Sequence, residues 1–419
     1  MGVREKRAGG RLPAAALEAE DSLEELAELA RSAGASVQEK ILQVRERLDA
    51  ATLVGRGKIE EIRGRVEQTE ANLLLFDFDL TPTQQRNIES AADCRVVDRT
   101  QLILDIFARH AHTREGQLQV ELAQLSYLLP RLTGRGVEMS RLGGGIGTRG
   151  PGETQLEIDR RRIRRRIRVL TESLETVRDQ RHRRRERRQG IPMATLTLVG
   201  YTNAGKSTLF NQLTQAQVVT SPQMFATLDP TMRQLVLPSH RRVLVSDTVG
   251  FIRNLPHTLI KAFRATLEEV CEAQMILLVS DCSVPDRARR EQQVEAVLQE
   301  IGAMSKSVLR IWNKADLLSP EARTALPVGD DTVVVSARTG EGIPVLREAI
   351  DRRLEVDPVE RVQLRLTPQQ GRELSWVYDF GRVLQREEAN GVIVVDAELP
   401  RSMLGRLQKD RIRFQITTR

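Results

Sequence analysis

Residues Met193–Thr208 read MATLTLVGYTNAGKST, and the fold is decided there. Ala194–Val199 is an apolar, β-rich run. It feeds Gly200-Tyr201-Thr202-Asn203-Ala204-Gly205-Lys206-Ser207, a Gly-x-x-x-x-Gly-Lys-Ser loop, and Thr208–Leu213 continues as a helix-compatible segment. Strand, glycine-rich loop and helix start together are the context of a phosphate-binding loop. The two glycines let the backbone curl with its N–H groups inward, and a helix N-terminus adds partial positive charge. In that setting Lys206 reaches the β- and γ-phosphates of a nucleotide, and Ser207 ligates Mg²⁺.

Downstream, four further motifs follow in a fixed order. Phe225-Ala226-Thr227-Leu228-Asp229 lies in a polar stretch, where Thr227 is placed to bind Mg²⁺ and sense a γ-phosphate. Val243–Ser246 reads as a strand ending in Asp247-Thr248-Val249-Gly250, a D-x-x-G; Asp247 supports Mg²⁺ from behind, and the Gly250 N–H meets the γ-phosphate. Met275–Ser280 reads as a buried strand, and Val308–Trp312 leads to Asn313-Lys314-Ala315-Asp316. An N-K-x-D at a strand's end selects guanine, because Asp316 accepts from a ring N–H and an exocyclic amine that adenine lacks. Thr332–Val335 leads to Ser336-Ala337-Arg338, the last base-side loop. Each motif alone is weak. Five in order over about 135 residues are specific, and α/β sheets bind ligands at strand C-termini. Lys206, Thr227 and Gly250 are the expected catalytic group.

The chain has 419 residues, enough for two or three domains, and a formal charge of +7 that suits an acidic polymer as partner. Cys94, Cys271 and Cys282 are widely spaced with no CxxC pair, which argues against a disulfide scaffold or zinc site and fits a reducing compartment. No apolar run approaches a membrane span, and no signal-peptide core is present, so a cytoplasmic protein is expected, with membrane association at most peripheral. Nothing signals oligomerisation, and a monomer is the expectation.

Upstream, residues 1–12 read as a disordered basic lead. Leu23, Leu26 and Leu29 give Ser22–Arg31 helical spacing, Val37–Arg45 reads as a strand, Gly55–Lys58 as a turn and Ile59–Val66 as a helix. Asn72–Phe78 is a buried strand, Thr81 or Thr83 caps a helix through Ala91, and Arg95–Val97 is a further strand. This alternation predicts an α/β domain over 13–110. Residues 111–190 come next: a helix over Glu115–Leu129, a glycine cluster from Gly143 to Glu153, and a basic helix over Thr154–Arg188. The cluster is either a linker or a loop that approaches a phosphate or RNA backbone. Leu156, Ile163, Ile167, Leu170, Leu174 and Val177 form an apolar stripe on which the preceding helix packs as a hairpin. The arginines, little offset by acids, favour nucleic-acid phosphate contact, and scarce aromatics point to structured RNA rather than DNA or single strands. Gly143, Gly144, Gly147, Arg149, Arg161, Arg164, Arg165 and Arg168 are the candidate contacts. Residues 191–356 form the nucleotide domain. In 357–419, strands at Val362–Leu366, Val392–Val395 and Arg413–Ile416 surround a helix with Trp376 and Tyr378, giving a small α/β appendage.

The motif set resembles the translation-factor class of P-loop GTPases, and within it the HflX family. The closer match rests on GGGIGTRGPGE at 143–153 with Thr154–Glu157, GYTNAGKSTLFN at 200–211, FATLDPT at 225–231, DTVGFIRNLPH at 247–257, PTQQRN at 82–87 and VDRTQLILDIFA at 97–108. It covers roughly 50–355. The resemblance implies an α/β, multidomain fold: an N-terminal α/β domain with a long helical hairpin, a doubly wound GTPase domain and the small C-terminal domain. It also implies GTP and GDP as ligands and the large ribosomal subunit, through its rRNA, as partner. Some members are implicated in splitting stalled or hibernating ribosomes under stress. The chain departs from the family where a first apolar strand is expected, since Ala14–Ala19 reads as helix, and its tail matches only loosely.

Many GTPases of this class carry a glutamine after D-x-x-G to orient water; here Phe251 stands there, so slow intrinsic hydrolysis stimulated by a ribosomal surface is expected. Asn203 holds the position that helps bind K⁺ in similar glutamine-lacking GTPases. The other class of function is a GTP-switched regulator of a protease or membrane complex, with the basic helix as its contact.

Overall fold

Buried aliphatics on short strands, each followed by a capped helix, build the first part of the chain. The computed structural model describes residues 1–5, 12–45, 47–132, 151–188, 193–216, 224–225, 231–253, 269–326, 329–354, 359–389, 391–409 and 412–416. The chain divides into two units. The first holds Met1–Val177, Ser221–Leu228 and Arg253–Phe263, and the second holds the rest.

In the first unit, β1 (Gly2–Glu5), α1 (Leu12–Ser32), β2 (Leu42–Arg45), α2 (Arg56–Thr69), β3 (Leu73–Phe76), α3 (Pro82–Ala92), β4 (Arg95–Asp98) and α4 (Arg99–His110) alternate. β1 pairs in parallel with β2, and β3 with β4. The core gathers Val3, Ile59, Ile62, Leu74, Phe76, Ile88 and Val96. Gly2–Glu5, expected to be disordered, is a strand instead: Val3 is buried in that core, a signal its charged neighbours hide in the sequence. The expected turn at Gly55–Lys58 is likewise corrected, since Gly55 is the N-cap of α2 and Arg56–Lys58 form its first turn. Thr81 caps α3 through a capping box with Gln84.

Asp98 is the polar centre of this unit. Its carboxylate caps α4 by accepting from the Gln101 N–H at 2.9 Å, and it accepts from Arg131 at 2.9 Å and from the Leu80 N–H at 3.2 Å. Arg131 in turn lies over the Tyr127 ring. Burial pushes the Asp98 carboxyl up against these stabilising contacts. A second buried cluster joins Arg99 to Glu25, to Asp77 at 2.6 Å, and to the Arg253 carbonyl at 3.2 Å. Met224 donates its N–H to Ser32 Oγ at 3.0 Å, and Phe225 meets Phe107 edge-on at 4.6 Å. Short segments flanking two of the nucleotide motifs thus pack as part of this unit.

α5 (Arg114–Leu128) precedes α6 (Pro151–Arg188), a 38-residue helix. Arg166 grips Glu121 of α5 through two bonds of 2.6 and 2.7 Å, and Leu170 of the apolar stripe is buried. Arg161, Arg164, Arg165 and Arg168 are exposed. Pro151–Glu153 begin α6 rather than extending the glycine cluster; Gly143, Gly144, Gly147 and Arg149 lie outside the described residues.

The second unit contains β5 (Thr195–Gly200), α7 (Lys206–Thr214), β6 (Thr231–Val236), β7 (Arg242–Asp247), β8 (Met275–Asp281), α8 (Arg287–Glu300), β9 (Ser307–Asn313), α9 (Pro320–Thr324), β10 (Thr332–Val334) and α10 (Ile343–Arg353). The six strands run β10-β9-β8-β5-β7-β6, all parallel except β6, which is antiparallel to β7. β5 and β8 are buried almost throughout, as strands covered by helices on both faces must be. β6 is not legible in the sequence because it is an edge strand with a single fully buried side chain, Leu235. The same unit carries β11 (Val359–Leu366), α11 (Gly371–Phe380), β12 (Arg382–Ala389), β13 (Val392–Pro400), α12 (Arg401–Lys409) and β14 (Arg413–Ile416). Their order is β12-β13-β11-β14, wholly antiparallel, a split β-α-β arrangement. The tail is therefore richer than expected: β12, written in Arg, Gln and Glu, gives no apolar alternation.

Asp98→Ala removes a helix cap and leaves Arg131 without its carboxylate. We expect it to destabilise the first unit by about 3 kcal/mol. Urea unfolding followed by hydrogen exchange at α4 measures the loss.

Candidate nucleotide site

β5 ends at Gly200, and the glycine is required there by the neighbouring strand. A Cβ at Gly200 would lie 2.1 Å from the Val279 carbonyl oxygen. The loop then climbs through Asn203, in the left-handed region at φ +59°, and Gly205 at φ +87°, before α7 starts at Lys206. The bend at Gly205 also serves packing, since a Cβ there would lie 2.3 Å from Asn313 Nδ2. Tyr201, Thr202 and Ala204 are buried and Asn203 is exposed.

Lys206 folds back into the loop that it follows. Its ammonium donates to the carbonyls of Gly200 at 3.1 Å and Tyr201 at 2.8 Å. Burial lowers its pKa to about 8, with Asp247 pulling the other way. Ser207 donates to Asp247 Oδ2 at 2.7 Å, and Asp247 is fully buried at the end of β7. This hydroxyl and carboxylate are hard oxygen donors side by side, the set that suits Mg²⁺. Thr248 donates to the Leu198 carbonyl at 2.6 Å, fixing the strand end. Val249 is half-buried, and Gly250 approaches so closely that a Cβ would lie 2.9 Å from Thr202 Cα and 3.0 Å from Lys206 Nζ. Phe251 forms a parallel bridge with Tyr201: its N–H donates to Gly200 at 3.1 Å, and its carbonyl accepts from Thr202 at 2.7 Å. Its ring is buried, so it packs into the core instead of facing solvent.

On the other side of the crevice, Asn313 is 2% exposed and spends both ends of its amide internally. Nδ2 donates to the Ala204 carbonyl, and Oδ1 accepts from the Ala337 N–H, each at 2.9 Å. Asp316 accepts from Ser336 Oγ at 2.6 Å, and Ala315 donates its N–H to Val335 at 3.1 Å. Lys314 pairs with Asp281 at 2.6 Å. Arg338 is exposed. The structure thus brings together the glycine loop, the D-x-x-G, the N-K-x-D and Ser336-Ala337 at one end of the sheet. Phe225 is buried in the first unit; Ala226, Thr227, Leu228 and Asp229 lie outside the described residues. Asp281 belongs to none of the motifs. The signal it leaves in the sequence is an Asp-x-Ser at the end of an apolar run.

A phosphate loop at the end of a central strand, with a buried lysine, a serine beside an aspartate and an N-K-x-D bridged to the loop, defines a P-loop GTPase. Comparison with known proteins gives the family. Models described as GTP-binding GTPase N-terminal, GTP-binding GTPase Middle Region, 50S ribosome-binding GTPase and HflX C-terminal domain match residues 20–108, 110–188, 195–314 and 325–411. GTPase HflX of Caldanaerobacter subterraneus is 45% identical over 392 residues, 93% of this chain and 90% of that protein. GTPase HflX of Alkalihalophilus pseudofirmus is 50% identical over 81% of this chain and 79% of its own length, and that of Escherichia coli 43% over 91% and 90%. The chain belongs to the HflX family of GTPases, enzymes that hydrolyse GTP. The family's C-terminal model extends the likeness to residue 411, well beyond the roughly 50–355 that the motifs cover. Among the described residues, no helix is long and apolar enough to cross a membrane.

The position of Lys206 has a pH consequence. Below about pH 8 the ammonium is already charged and meets a phosphate at no protonation cost; above it, binding must be accompanied by proton uptake. The GDP dissociation constant is therefore expected to be flat up to pH 8 and to rise above it, by at most about tenfold per pH unit. Calorimetry between about pH 7 and 9 in buffers of different ionisation enthalpy measures both the affinity and the proton taken up.

Proposed function

We propose that this crevice binds GTP and GDP with Mg²⁺, and that GTP hydrolysis switches a factor acting on the large ribosomal subunit. The observation that carries the reading is the convergence of Lys206, Ser207–Asp247, Gly250 and the Asn313–Asp316 loop at the sheet's C-terminal end. Ser207 and Thr227 hold the Mg²⁺, which when bound neutralises phosphate charge. Lys206 adds its charge at the β- and γ-phosphates, the Gly250 N–H meets the γ-phosphate, and Asp316 accepts from guanine. Loss of the γ-phosphate deprives Thr227 and Gly250 of a common partner, so the two loops relax after hydrolysis.

The buried Phe251 ring supports slow intrinsic turnover, because no side chain there orients water. Ordering of the loops by a ribosomal surface supplies the acceleration. The exposed Arg161, Arg164, Arg165 and Arg168 of α6, with the Gly143–Arg149 segment, meet rRNA phosphates. Wedging of this hairpin into rRNA in the GTP state, and its release after hydrolysis, is how such a factor splits or rescues ribosomes. Asn203, exposed at the mouth of the loop, helps hold a K⁺ ion.

Purified large subunits are expected to raise GTP turnover. The combined Arg161→Ala, Arg164→Ala, Arg165→Ala and Arg168→Ala variant should lose most of that stimulation and keep the basal rate. Subunit binding should fall steeply with salt. Turnover that ignores the subunits but responds to a protein from the same cells would favour a protein-binding regulator instead. A basal rate higher in potassium than in sodium is expected, and equal rates would remove the ion from the mechanism.

A further inference from the structure

The motifs leave Asp281 without a role, yet its carboxylate is held in place from both sides. It ends β8 directly beside Asn313 in the strand register. One oxygen, Oδ1, accepts from the Ser283 N–H at 2.9 Å and from Ser283 Oγ at 2.6 Å, an Asx turn that fixes the carboxylate. The other, Oδ2, faces the Lys314 ammonium at 2.6 Å, with the two side chains 10% and 24% exposed. The loop between them is stitched to β9 as well: the Cys282 N–H and thiol both donate to the Asn313 carbonyl at 3.0 Å.

Lys314 sits in the left-handed region at φ +67°, a conformation costly for a lysine and kept only where its surroundings impose it. Its neighbours on either side are committed: Asn313 to Ala204 and Ala337, Asp316 to Ser336. The lysine has four rotatable bonds, and ordering them without a partner costs rotamer entropy. Asp281 provides that order before any ligand arrives, and it does so two residues before Asp316 in the N-K-x-D.

We propose that Asp281 is a positioning residue of the guanine subsite: through its ion pair it fixes Lys314, and so slows nucleotide release. The inference rests on the guanine-nucleotide reading above. Asp281 acts on the lysine and leaves Asp316 to read the exocyclic amine, so its removal weakens holding without altering base selection.

The test is the release rate of N-methylanthraniloyl-GDP from the full chain, measured for the wild type, Asp281→Asn, Lys314→Ala and the double variant. Asparagine retains an oxygen for the Ser283 turn and removes the charge, so the loop is conserved. Asp281→Asn is expected to speed release roughly three- to tenfold, the scale of a half-buried ion pair. The double variant is expected to release no faster than Lys314→Ala, and the GDP-to-IDP affinity ratio to stay at the wild-type value. A double variant whose acceleration is the product of the two singles overturns the proposal, because Asp281 then acts independently of the lysine. So does an unchanged rate in Asp281→Asn, or a shifted GDP-to-IDP ratio. A wild type that fails to bind the GDP probe sinks the guanine-nucleotide reading itself.

Discussion

Burying the ammonium of Lys206 is the constraint on which the rest of the crevice depends. A lysine out of water must find oxygen acceptors, and the nearest are the two carbonyls at the start of its own loop. Those carbonyls point inward because β5 ends at Gly200, where the backbone runs against Val279 of the next strand. Asp247 then sits within reach of both the lysine and Ser207, so one carboxylate serves charge balance and oxygen-donor geometry together. A phosphate entering this crevice replaces carbonyl partners with anionic oxygens, a stronger match for a charged donor.

The opposite wall is built from different chemistry. Around the base-side loop, Asn313 makes neutral hydrogen bonds to Ala204 and Ala337, the Asp316 carboxylate accepts from Ser336, and Asp281 pairs with Lys314. A buried ammonium stands where phosphates belong, and a carboxylate acceptor, Asp316, where a base belongs. The parallel strands make this division possible, since each delivers one loop to the same edge of the sheet.

The central sheet was largely legible in the sequence, because strands buried on both faces are written as unbroken apolar runs and the loops between them carry spaced motifs. Legibility fails where a strand has solvent on one side. β6 buries Leu235 among otherwise accessible residues, and β12 is charged along much of its length. β1 escapes for a different reason: its one core side chain, Val3, stands next to Arg4 and Glu5 in a basic lead. Side-chain partnerships across the fold were the other blind spot. Asp281 and Lys314 are 33 positions apart, as are Asp98 and Arg131, and no local spacing announces such pairs. Core packing of Phe251 was one of the readings open in the sequence, and the bridge to Tyr201 accompanies its burial.

Asn313 carries a consequence for the chemical lifetime of the protein. Its amide nitrogen is the group that hydrolysis of an ageing asparagine removes, and here that nitrogen is the donor to Ala204. Conversion to aspartate would set a carboxylate against a carbonyl oxygen, repelling the glycine loop from the base-side loop in one step. Burial at 2% exposure keeps water from the amide, and the fixed strand end denies the backbone the freedom that cyclisation needs. The side chain that joins the two halves of the crevice is thus shielded from the reaction that would split them.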